Sequence, residues 1–342
     1  MAQTLGNVRI GSDRFGPRTT YEELEIGKDL GTEDFLVTQS QIDQVCYRLQ
    51  DHHPYYEVNS PFGGTVAPVW MTYLLTRGLF SQTYSVRGLF YKWAVDCVLP
   101  VRPGVRHTVT GTLTNKWIKN DREFVEYASV CKDDKGNVVF TTKRAHVLDF
   151  IKRTAPKVGE GIGSSSARTP EAKAGRQPYW DPEWPADETA ALTGEILVPP
   201  LASSSTPIGA PLPSVSIFLS KKRFTELQEH HLIGRGRNLH LDVEAAQQEG
   251  LPAPVATAPD LMAMAHRSAL EFFGAGWVKG GRADLTCARP TYIGDYVTAN
   301  GVVTGREQLP DGTERLLCNV WVENQKGEKK IVGTVSGIVG AR

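Results

Sequence analysis

No stretch of the 342-residue chain holds an apolar run long enough to span a bilayer, and the opening MAQTLGNVRIGSDRFG lacks the apolar core of a secretory signal. The expectation is a cytoplasmic protein with no membrane partner. An excess of either charge is also missing: 38 Lys plus Arg balance 38 Asp plus Glu. No long-range field gathers phosphates, so nucleic acid is a poor partner. Only five cysteines occur (Cys46, Cys97, Cys131, Cys287 and Cys318), scattered and without a CxxC pair. That pattern argues against structural zinc and thiol exchange, and for reduced, mostly buried thiols. GxGxxG, Walker, HExxH and GxSxG motifs are lacking, as is a clustered Cys/His set. No metal and no nucleotide cofactor is implied.

What is present is ordinary globular material, 40% hydrophobic and 22% charged, in a length that suggests about two domains. From about Ile151 to Pro213 the density of Pro, Gly, Ser and Thr breaks both regular periodicities, which reads as a linker. The boundaries expected are 1–150, a linker over 151–213 and a second domain over 214–342. Within the linker, PYWDPEWP carries Tyr179, Trp180 and Trp184, too apolar for a solvated tether and expected to pin it to a domain surface.

Either side of the linker the chain repeats itself. Cys97, Pro100, Gly104 and Gly111 recur as Cys287, Pro290, Gly294 and Gly301, all at one offset of 190 residues. The polar tips CKDDKG136NVV and VENQKG327EKK each separate two alternating strands, as hairpins do. Upstream of each strand block are helical stretches. Thr38 caps a run with Ile42, Val45, Cys46 and Leu49 at helical spacing, and VWMTYLLTRGLF is apolar almost all round, as a buried helix is. The second half follows with LSKKRFTELQEHH, VEAAQQEG250, the loop LPAPVATAPD260 and the apolar LMAMAHRSALEFF. Each half therefore reads as helices followed by a strongly bent antiparallel sheet, an α+β arrangement.

The segment Asn238-Leu-His240-Leu-Asp242-Val-Glu244, continuing to Gly250-Leu-Pro-Ala-Pro254-Val-Ala256, resembles the signature of MaoC-like (R)-specific enoyl-CoA hydratases and acyl dehydratases. Their pattern is Asp-x-Asn-Pro-x-His, then x-Asp-x-Glu-x-Ala, a Gly-aromatic-Pro loop, Pro-Ile-Ala and a buried helix. His53-Pro54-Tyr55-Tyr56, Ser60-Pro61-Phe62-Gly63-Gly64 and Val66-Ala67-Pro68 resemble the companion half of the double-hotdog members. The resemblance implies two hotdog domains side by side, a long helix in each wrapped by its sheet, and a homodimer. It also implies a lyase that adds or removes water at the 2,3 position of an acyl thioester. A carboxylate and a histidine would handle the water, and N–H groups near Ala256 to Pro259 would stabilise the enolate oxygen.

The chain departs from that pattern at the acid. Five residues before His240 stands Arg235, and Asn238 lies two residues before the histidine instead of three. In the first half, alignment from the helix puts Asp51 and Tyr56 at the Asp and His positions, whereas alignment from the Phe-Gly-Gly loop puts Asp51 at the histidine position. The expected catalytic set is His240 as main acid/base, Asp51 as a carboxylate from the other half and Asn238 to orient substrate or water. Candidate substrate contacts are Arg235 and Arg237 for a carboxylate or CoA phosphate, His52, His53, Tyr56, Gly64, Ala256 and Thr257. Trp277 is either a substrate platform or core, Gly64 a ligand contact or a turn glycine, and His230 and His231 helix-terminal cations. Two other readings stay open: a hotdog enzyme repurposed for elimination, isomerisation or cyclisation of a carboxylate-bearing intermediate, and a non-catalytic partner subunit.

Overall fold

The computed structural model describes residues 19–84, 89–148, 201–229, 239–248 and 251–340. In the first half, β1 (Asp29–Leu36) leads to α1 (Gln39–Leu49), α2 (Pro54–Glu57), α3 (Met71–Thr76) and α4 (Leu79–Thr83). The strands β2 (Leu89–Cys97), β3 (Arg106–Lys119), β4 (Arg122–Asp133) and β5 (Val138–Val147) follow. The second half repeats the order: β6 (Val215–Phe218), α5 (Lys221–Glu229), α6 (Val243–Gln248), α7 (Ala258–Phe273) and α8 (Ala275–Val278). Its closing strands are β7 (Arg282–Cys287), β8 (Tyr296–Gln308), β9 (Glu314–Asn324) and β10 (Lys329–Val339).

All ten strands form one antiparallel sheet in the order β1-β3-β4-β5-β2-β7-β10-β9-β8-β6, a five-strand pattern and its mirror. The halves join where β2 pairs β7, from Lys92 opposite Thr286 to Asp96 opposite Arg282. Lys92–Asp284 at 2.9 Å and Arg282–Asp96 at 3.1 Å cross that seam. Side chains from both halves merge into one core, with Trp70, Trp93 and Trp277 fully enclosed. This is a double hotdog. Among the described residues no helix is long and apolar enough to cross a membrane.

Local chemistry explains the elements. Thr38 opens α1 with a capping box: Gln41 N–H donates to the Thr38 hydroxyl, and Thr38 N–H donates to the Gln41 side chain. The apolar run before β2 is interrupted at Arg77 and Gly78, although both keep right-handed helical φ and ψ. Thr72 and Thr76 hydroxyls donate back to carbonyls one turn earlier, which bends helices. Its counterpart α7 is continuous over 16 residues. The hairpin tips turn at Gly136 and Gly327, with φ of 82° and 74°.

The repeat is visible bond by bond. Ala67 N–H donates to Val101 O, and Ala256 N–H to Thr291 O, both at 2.8 Å; Gly104 to Val37 and Gly294 to Leu219 match in the same way. Residues 201–213, expected in the linker, are built into the second half. Ala202 donates to Phe272 O at 2.8 Å, Leu212 to Gly301 O at 3.0 Å, and Pro211 bridges Val302. Residues 202–213 therefore pack as part of the second half. Tyr179, Trp180 and Trp184 lie outside the described residues.

Candidate active site

His240 sits in the turn before α6, where Asp242 accepts from Ala245 N–H at 2.7 Å and fixes the helix start. Leu239 is tied to the loop beyond, since Val255 N–H donates to its carbonyl at 3.1 Å. The same loop returns a contact: His240 Nδ1 lies 2.8 Å from Val255 O. A carbonyl only accepts, so Nδ1 carries the proton and Nε2 is the basic nitrogen of the neutral ring. Burial is the main cause that holds the ring below the usual imidazole pKa. The Val255 carbonyl and Asp260 push it back up, while Arg77 and Arg48 push it further down. A neutral histidine with a defined tautomer is the form a general base requires.

Two residues after Val255 the chain enters α7, with Thr257 as N-cap and Pro259 in the first turn. The N–H of Ala256 is spent on Thr291 O, which removes it as an oxyanion donor, and Pro259 has none. In the expected window, Thr257 and Ala258 carry the N–H groups that no described residue takes up, at the positive end of a 16-residue helix.

Asp260, in the first turn of α7, accepts from the Thr257 hydroxyl and from Arg48 Nη2 of α1. Side chains of Arg48 and Asp260 are each 4% exposed, so the ion pair joining the two halves is fully desolvated. Arg48 also lies over the Trp70 ring, 5.1 Å from its centroid, and Trp70 Nε1 donates to Pro259 O at 2.5 Å. The α7 N-terminus is thereby locked to the first half beside His240.

Asp51 lies two turns further along α7. Helix α1 ends with Gln50 in the left-handed region and Asp51 N–H donating to Cys46 O at 3.0 Å. Arg267 of α7 donates to the Gln50 carbonyl at 2.8 Å and stands 3.9 Å from the Asp51 carboxylate. Burial outweighs Arg267 and raises the Asp51 pKa to about 7. Asp51 pairs with Arg267, and His240 is not among its hydrogen-bond or ion-pair partners. Both Asp51 and Arg267 line an open cleft with Arg223, Asp260 and Met264.

The hydrogen bonds decide between the two alignments of the first half. Val66 N–H donates to Tyr55 O at 2.9 Å just as Val255 donates to Leu239 O. Tyr56 is therefore the counterpart of His240; five residues before each in the sequence stand Asp51 and Arg235. Asp51-x-His53-Pro54-x-Tyr56 keeps the acid and proline of the family pattern without its histidine, while the second half keeps the histidine without the acid. Tyr56 is buried, and burial followed by Asp51 pushes its phenol well above the ordinary value. His53 caps α2 by accepting Tyr55 N–H at 3.2 Å, and burial lowers it to about 4. His52 is exposed beside Glu57. Gly64 turns the loop at φ 91°, its N–H donating to Asn59 at 2.8 Å. Trp277 is core, 0% exposed, and stacks on Phe273. Arg235, Arg237, Asn238, His230 and His231 lie outside the described residues.

Arg48, Arg77, Asp260 and Arg267 were not singled out from sequence. An acid in the first turn after Thr-Ala-Pro was a legible signal for Asp260. Nothing along the chain pairs Arg48 with a residue 212 positions away.

No protein-family profile matches the chain, and no curated protein does. Solved structures do. A MaoC-like dehydratase aligns over 92% of this chain and 98% of its own, at 18% identity and a TM-score of 0.67. The MaoC-like dehydratase of Phytophthora capsici aligns over 93% and 97%, at 14% and 0.56. A Mycobacterium tuberculosis protein described as a double hotdog aligns over 95% and 98%, at 14% and 0.54. At these identities the likeness establishes the fold: this chain is a double-hotdog protein built like the MaoC-like dehydratases.

Proposed function

We propose that the protein is a hydro-lyase acting on acyl thioesters, adding or removing water at the 2,3 position with His240 as acid/base. The observation that carries this is His240 held neutral, with Nε2 as its basic nitrogen, against the loop that delivers the N-terminus of α7. In the hydration direction His240 Nε2 takes a proton from water as the hydroxyl adds to C3. The thioester oxygen gains negative charge, which the Thr257 and Ala258 N–H groups and the α7 dipole favour. The imidazolium then returns its proton to C2, so one histidine serves both transfers. Arg48 and Asp260 hold the α7 N-terminus in register with the ring.

A panel of 2-enoyl-CoA esters, followed by loss of enoyl absorbance, tests the reading. Wild type should turn over at least one ester, and His240→Gln should lower kcat by about 10²–10⁴. No turnover above His240→Gln on any ester would sink it.

A further inference from the structure

The two halves of this molecule share one plan, so each residue can be weighed against its counterpart. The hairpin glycines Gly136 and Gly327 set an offset of 191 residues for the strands around them. Arg144 lies opposite Tyr127 in the β4–β5 pair, and Val335 opposite Cys318 in the β9–β10 pair. His146 lies opposite Val125, and Gly337 opposite Leu316. Where the second half is filled by Val335 and by Phe273 packed onto Gly337, the first half holds an arginine and a histidine on the same face of the strand.

We infer that this part of the first half is a binding site for a carboxylate at the far end of the substrate's acyl group, with Arg144 as the residue that receives it. Arg144 is 4% exposed. Its Nη2 donates to the Tyr73 hydroxyl at 2.9 Å, and its guanidinium lies 4.3 Å from the Tyr73 ring and 5.0 Å from Phe90. Nε and Nη1 are buried without a hydrogen-bond partner, as is Nε2 of His146. Leaving charged donors unpaired in a desolvated site is costly. The fold does not demand that cost, because Val335 occupies the matching position.

The surroundings suit an anion with an apolar or flat body. Phe80 stacks on Tyr127 at 4.9 Å and on His146 at 6.1 Å, and Phe90 meets His146 edge-on at 5.8 Å. The charged groups that act on His146 are Arg144 and Arg77, both cations. Arg77, between α3 and α4, also acts on His240. Trp70, which donates to Pro259 O at the start of α7, lies 5.7 Å ring to ring from Tyr73, the residue that holds Arg144, so an acyl chain running inward from the α7 N-terminus along these rings would reach Arg144. This placement rests on the lyase reading for the orientation of the thioester; the anion site itself does not.

Calorimetric titration of the full chain with succinyl-, glutaryl-, adipoyl- and suberoyl-CoA, each against the neutral acyl-CoA of equal length, tests the inference. At one chain length the acidic thioester should bind at least about tenfold more tightly, the scale of a charge-assisted hydrogen bond. Arg144→Met should erase that preference by weakening the acidic ligand. Without ligand this variant should melt no lower than wild type, since it removes an unpaired buried cation. Equal affinity for acidic and neutral thioesters at every length, or a preference that survives in Arg144→Met, overturns the inference. If the variant does not fold, the wild-type comparison decides alone. Turnover separates the two readings. Preferential binding without hydration of the matching enoyl thioesters sinks the lyase reading and leaves the site; hydration of neutral chains with no acidic preference does the reverse.

Discussion

At the scale of residues, Asp51 and His240 belong to different halves and do not pair with each other. Asp51 stands 3.9 Å from Arg267 of α7, while Arg77 and Arg48 act on His240. Asp51 is a carboxylate whose ionisation the fold resists. Its pKa rises from an ordinary 3.8 to about 7, chiefly through burial. Between those values the native state binds the proton and the unfolded chain does not, so stability falls as pH rises through that window and levels off above it. Asp51→Asn should remove this slope and gain on the order of 4 kcal/mol at pH 8 relative to wild type, by about 1.36 kcal/mol per pK unit. Urea midpoints measured at pH 4 and pH 8 check it; coincident midpoints at pH 8 would show the carboxylate to be adequately paired.

At the scale of elements, most boundaries were legible because they rest on local chemistry. The Thr38 cap, the α1 spacing and the two glycine hairpins all formed where the residue types demand them. Close approach was not legible. Helix α8 lies against β10 so tightly that a Cβ on Gly276 would collide with the Ile338 carbonyl. Backbone cannot yield as a flexible side chain can, so Gly276→Ala should destabilise the fold by about 2–4 kcal/mol through overpacking. A thermal melt of the variant within a degree of wild type would refute that contact. The break of the first buried helix at Arg77 likewise depends on threonine hydroxyls turning back to carbonyls, a choice the apolar pattern does not announce.

At the scale of the whole molecule, the two hotdog halves share one sheet and one core. The β2–β7 pairing makes a single sheet, the core runs through both halves, and the buried Arg48–Asp260 pair crosses between them. Such sharing makes partial unfolding expose apolar surface on the remaining half. Calorimetry should show one unfolding transition with matching calorimetric and van't Hoff enthalpies. Two resolved transitions, or two separately expressed halves that each fold, would contradict it.

The sequence alone determined the repeat, the helices and hairpins within it, and the position of His240, because these depend on neighbours in the chain and on the period of apolar residues. Only the tertiary structure decided that Tyr56 is the counterpart of His240, that Asp51 meets Arg267, that Arg48 meets Asp260 across 212 residues, and that Arg144 is buried with donors unspent. Those outcomes depend on which faces are brought together when the two half-sheets join, and desolvation, the force that sets their charges, exists only after they have.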